Sequence, residues 1–102
     1  MDIRFNNIYL EALAKDDVKG KPKYSKDVVT KFKKTLKILE IMPTTNGLWK
    51  LNNLGFEALK GDRKGYFSVR VDYHYRLIFE VENDIINIRE ILTITELTNH
   101  YQ

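Results

Sequence analysis

The sequence predicts an α+β protein: a short N-terminal strand and two helices packed on an antiparallel β-sheet. Three observations carry this. The first half repeats its apolar residues at helical spacing. The second half alternates, or runs β-branched, at strand spacing. The stretch between them is rich in glycine and asparagine and matches neither period. With 102 residues, 43% hydrophobic and 30% charged, one domain spanning 1-102 with a single modest core is expected.

The elements follow in chain order. "DIRF" (Asp2 to Phe5) reads as a short strand with Ile3 and Phe5 on one side. Asn6 or Asn7 then offers a helix cap, and Tyr9, Ala12 and Leu13 fall near one helical face. Gly20 and Pro22 break that pattern. Ser25 is expected to cap the longest helix. Its buried stripe is Val28, Phe32, Leu36 and Leu39, with Val29 and Thr35 beside them, and Pro43 stops it near Met42. Trp49, the single tryptophan, is expected to anchor the core. Three strands follow in "YFSVRV", "YRLIFEV" and "IINIREILTI"; the closing "ELTNHYQ" reads as too polar for core.

The net charge of +3 suits a polyanionic partner. The absence of cysteine excludes disulfides and thiolate metal sites and fits a reducing, cytoplasmic setting. "MDIRFNNIYL" carries Asp2 and lacks a long apolar stretch, so no signal peptide is expected. No run approaches the roughly 20 apolar residues of a membrane helix. His74 and His100 lie far apart and form no metal motif. Neither a metal nor another cofactor is expected.

The hairpin around "DYH" carries the most chemistry. Pairing Val69 with Leu77 and Phe67 with Phe79 places every apolar pair on one face. Arg70 then meets Arg76 on the other face, beside Ser68 and Ile78; a shift of one residue spoils both faces. The loop is Asp72, Tyr73 and His74. Like charges directly opposite one another destabilise a sheet, so something is expected to offset them. Two offsets stand open: internal acids, with Asp62, Glu90 and Glu96 as candidates, or a bound phosphate that matches guanidinium forks. Tyr66 shares that face and offers a stacking surface, or simply covers the sheet edge. In "LKGDRKG", Lys60, Arg63 and Lys64 make an anion funnel that lacks the spacing of a P-loop, with Asp62 capping the turn. On the long helix, Lys31, Lys33, Lys34 and Lys37 read as a solvated face, with a phosphate-facing ridge as the alternative.

"LKGDRKGYFSVRV" followed by "YRLIF" resembles the HigB-like branch of the RelE/ParE toxin superfamily, most densely from Leu51 to Phe79. The resemblance implies a RelE-like fold and the toxin of a type II toxin–antitoxin pair. It implies metal-independent, ribosome-dependent cleavage of mRNA by an endoribonuclease that inhibits translation. It also implies a small helix-turn-helix antitoxin (HigA-like) as partner, the toxin being a monomer alone and a hetero-oligomer with that antitoxin. Under this reading Arg70, Arg76 and Lys60 stabilise the phosphate as charge builds. His100 serves as general acid or base, with Tyr101 as second candidate. Arg63, Lys64 and Tyr66 hold RNA. The ending "ITELTNHYQ" departs from the family's Asp-Tyr-His close by placing Asn99 before His100, which leaves the acid and base open. A ParE-like inhibitor of DNA gyrase and a non-catalytic module binding RNA or antitoxin are the rival readings.

Overall fold

The computed structural model describes residues 1–100. Its first strand, β1 (Asp2–Phe5), leads into α1 (Ile8–Ala14), where Asn7 is the cap and its side chain accepts from the Leu10 amide. Leu10 and Leu13, three residues apart, are the buried pair, while Tyr9 and Ala12 are half-buried. The apolar face is therefore rotated by one residue from the expected one. The second helix, α2 (Lys26–Ile41), starts as expected: Ser25 Oγ accepts from the Val28 amide. It buries Val28, Phe32, Thr35 and Leu39, and it ends at Met42 just before Pro43.

Short 3₁₀ segments at Thr45–Lys50 and Asn52–Leu54 carry the chain to β2 (Glu57–Ala58). A third, Gly61–Arg63, precedes β3 (Tyr66–Arg70), β4 (Arg76–Asp84) and β5 (Arg89–Thr98). The strand order is β1-β5-β4-β3-β2. Four strands are antiparallel neighbours; β1 joins the edge in parallel to β5, with Asp2 opposite Ile91 and Phe5 opposite Ile94. The long helical connection between β1 and the later strands is what makes a parallel partner reachable. The sheet is thus mixed. One face packs on both helices through Phe32, Leu39, Val69, Leu77, Phe79, Leu92 and Ile94.

Three further expectations are corrected. Trp49 is 55% exposed and meets Phe56 only edge-on, with ring centroids 4.4 Å apart. The buried residue at that bend is its neighbour Leu48. The closing segment is not all surface: β5 runs to Thr98, and Leu97 is buried opposite Leu77. Asp62 forms no cap on its turn. Asp72 does that work in the β3–β4 loop, where its carboxylate accepts from the amides of His74 and Tyr75 at 2.8 and 2.7 Å.

Candidate functional site

The β3–β4 register pairs Arg70 with Arg76, Val69 with Leu77, Ser68 with Ile78 and Phe67 with Phe79. The two side chains therefore leave the sheet on the face opposite Val69 and Leu77. They are not equivalent. Arg76 is 4% exposed; its Nε donates to Ser68 Oγ at 3.0 Å, and its Nη2 donates to the carbonyl of Gly55. Glu57 comes within 3.9 Å of the same nitrogen. Arg70 is exposed, and among the described residues no carboxylate pairs with it.

Gly55 holds the two together. It sits in the left-handed region with φ 54°. A side chain there would place its Cβ 3.3 Å from Arg76 Nη1 and 3.4 Å from Arg70 Nη2. Both cationic heads thus converge on one bare stretch of backbone. The like-charge cost falls because Arg76 is held by Ser68, the Gly55 carbonyl and the more distant Glu57 carboxylate, while Arg70 faces solvent. The acids first considered as neutralisers do not reach the pair. Glu96 takes Arg63 at 2.8 Å, and Glu90 accepts from the Thr45 amide and hydroxyl.

The remaining candidates distribute around this pair. Thr98 lies opposite Arg76, and the His100 amide folds back to donate to the Thr98 hydroxyl at 2.9 Å, so the exposed His100 follows directly from the arginine row. Tyr101 lies outside the described residues. Lys60 and Lys64 are exposed on either side of the Gly61–Arg63 turn. Tyr66 opens β3 on the same face as Arg70, half-buried. On α2 the lysines divide: Lys31 pairs with Asp27, Lys33 pairs with Asp16, and Lys34 and Lys37 are exposed. Lys31 and Lys34 face Arg70 across a groove of about 210 Å³. Behind the hairpin, Tyr24 donates to the Leu97 carbonyl at 2.8 Å. Burial first, then the nearby phenols of Tyr75 and Tyr9 and the Glu96 carboxylate, raise its pKa above the ordinary tyrosine value.

Gly55 and Glu57 are the positions that spacing alone does not mark. Gly55 sits in an ordinary-looking "NLGFE", and only the left-handed backbone beside two cationic heads makes it part of the site. No helix among the described residues is long and apolar enough to cross a membrane.

The assembly defines a class: a small α+β protein whose sheet gathers guanidinium groups, on the face opposite its apolar core, beside the end of its last strand. Solved structures share the fold. A YoeB/ParE toxin from Agrobacterium tumefaciens superposes with a TM-score of 0.64 at 18% identity, covering 99% of this chain and 100% of that one. The YoeB-YefM complex from Staphylococcus aureus gives a TM-score of 0.60 at 22% identity, covering 99% and 98%. No curated protein matches. Residues 3–91 match the HigB-like toxins, the RelE-like toxins of the type II toxin-antitoxin system HigB, and the chain belongs to that family.

Proposed function

We propose that this toxin is a metal-independent, ribosome-dependent mRNA endoribonuclease acting as one domain. The carrying observation is the convergence of Arg70 and Arg76 on Gly55. Cleavage requires the 2′-hydroxyl to lose a proton and attack the adjacent phosphorus, while the 5′-oxygen leaves and gains one. Charge grows on the phosphate oxygens between those events, and preorganised donors aimed there lower the barrier most. Arg76, held by Ser68 and Gly55, is the rigid donor; Arg70, open to solvent, is the one a phosphate reaches first. Lys60 adds charge, and Arg63, Lys64 and Tyr66 hold the strand. His100 supplies the proton transfer, an imidazole being the side chain that titrates nearest neutrality, with Tyr101 as its alternative.

The partner follows by analogy. The S. aureus structure pairs YoeB with YefM, and we assign this chain an antitoxin of its own, a small helix-turn-helix protein, in a hetero-oligomer. The setting is cytoplasmic, where ribosomes and mRNA are.

A second reading is a binding module without cleavage. It is favoured by the family match ending at residue 91, before Asn99 and His100. Expression of the chain without a partner is expected to arrest growth and to yield transcripts cut within translated regions. Arg70→Gln and His100→Ala are expected to abolish the cuts while the fold survives, as read by circular dichroism. Intact transcripts would establish the binding module, and intact transcripts with blocked supercoiling would move the case to gyrase.

A further inference from the structure

Next to the arginine row, on the same sheet face, lies a cavity of about 280 Å³ lined by Asp62, Arg63, Tyr66, Ile78, Thr95 and Glu96. Ile78 follows Arg76 by two residues on β4, so the cavity floor is one side-chain row, about 7 Å, from the proposed phosphate site. We propose that this cavity is a nucleobase subsite that reads a base bearing both an amino group and a carbonyl, guanine or cytosine, through Glu96 and Arg63. The inference rests on the reading of RNA as substrate and adds to it what the strand is read by.

Charge separates the two rows. The arginine row is cationic and suits a phosphate. The cavity holds two carboxylates against one guanidinium, which repels a phosphate and suits a neutral ring with donors and acceptors on its edge. Its volume admits one ring and little more. Tyr66, half-buried, supplies an aromatic wall.

The polar groups have capacity to spare. Arg63 Nη2 donates to Glu96 Oε1 at 2.8 Å, yet Arg63 Nη1 is enclosed without a hydrogen-bond partner. Nη1 is closed off by protein, so the donor left for an acceptor such as a base carbonyl is the second N–H of Nη2. The side chains of Arg63 and Glu96 are each more than one-third exposed, so their pairing adds little stability and yields readily to a ligand. A carboxylate accepts at about four positions, and only one oxygen of Glu96 is taken by Arg63, which leaves acceptor sites for an amino group. Uracil has no amino group to offer. Carboxylate recognition of an exocyclic amino group is an established pairing in nucleic-acid readout.

The test is an amide-resolved NMR titration of the protein with GMP, CMP and UMP, beside cleavage mapping. GMP and CMP are expected to bind about tenfold tighter than UMP, with shifts at Tyr66, Thr95 and Glu96. Glu96→Gln, nearly isosteric, is expected to erase that difference and leave UMP binding unchanged; Arg63→Gln is expected to weaken GMP and CMP toward UMP. Equal binding of all three nucleotides, shifts confined to Arg70 and Arg76, or a preference that survives both substitutions would overturn the subsite. Base preference without RNA cleavage would keep the subsite and reject the nuclease; cleavage with a base pattern indifferent to Glu96 would do the reverse.

Discussion

The two faces of this sheet are built from the same strands and do opposite work. Toward the helices, Phe67, Val69, Leu77, Phe79, Leu92 and Ile94 pack against Phe32 and Leu39. On the other side the alternate residues are Ser68, Arg70, Arg76, Ile78 and Glu96, where Gly55, Glu57 and Arg63 approach. Ser68, Arg76 and Ile78 are as buried as the core itself. Burial on the helical face is apolar contact; burial on the other combines Ile78 with hydrogen bonding around a cation. The first kind tolerates a change of shape poorly. The second tolerates a change of charge poorly.

That contrast breaks most sharply with Phe79→Ala. Phe79 is fully buried and stacks near Phe56 and Phe67, with centroids 6.2 and 6.5 Å away. Its truncation is expected to cost about 3–5 kcal/mol, read by urea denaturation with an unchanged slope. A loss below about 1 kcal/mol would mean that the helical face is not the main source of stability. Gly55→Ala is the counterpart on the other face. The left-handed backbone costs an alanine about 1–2 kcal/mol, and the new Cβ crowds both guanidinium groups. Cleavage is expected to fall well beyond what that stability loss explains, and a parallel fall in both would remove Gly55 from the site.

Tyr24 sharpens the comparison because it is a polar group on the helical side. Its pKa is raised, chiefly by burial. The folded state then holds the phenolic proton more tightly than the unfolded chain. The stability this provides is complete below the ordinary value of 10.0 and is lost as pH rises through the raised folded value. Tyr24→Phe is expected to cost about 1 kcal/mol at neutral pH by leaving the Leu97 carbonyl without its donor. It is also expected to flatten the decline above pH 10, measured as Tm against pH. An unchanged alkaline decline would assign that decline to another group.

The sequence makes the helical face legible and the other face only half so. Hydrophobic alternation in "YFSVRV" and "YRLIF" admits one register that keeps both faces consistent, and this is why the Arg70–Arg76 pairing is readable from spacing. Ser25 and Pro43 bracket α2 for equally local reasons. Trp49 misleads because size suggests a core residue, whereas the 3₁₀ segment turns its neighbour Leu48 inward instead. The partners of the arginines are out of reach for another reason. Gly55 and Glu57 come from an irregular segment with no period, and their approach to Arg76 is set by β2 pairing with β3 over two residues. A contact made by so short a strand leaves almost no trace in composition.

The smallest effect tests the reason for the paired charges. Arg70 is exposed, lies opposite Arg76 and has no carboxylate partner among the described residues. If the pair is kept for chemistry, the fold bears its repulsion as a cost. Arg70→Gln, similar in length and neutral, is then expected to raise stability by a few tenths of a kcal/mol, most visibly at low salt, where the repulsion is least screened. The same substitution is expected to abolish cleavage. A gain in Tm that shrinks with added salt, together with lost activity, would mark Arg70 as a charge held against the preference of the sheet. A drop in Tm would show instead that the Arg70 stem packs on its neighbours and supports the fold, and the two arginines would then need no substrate to explain them.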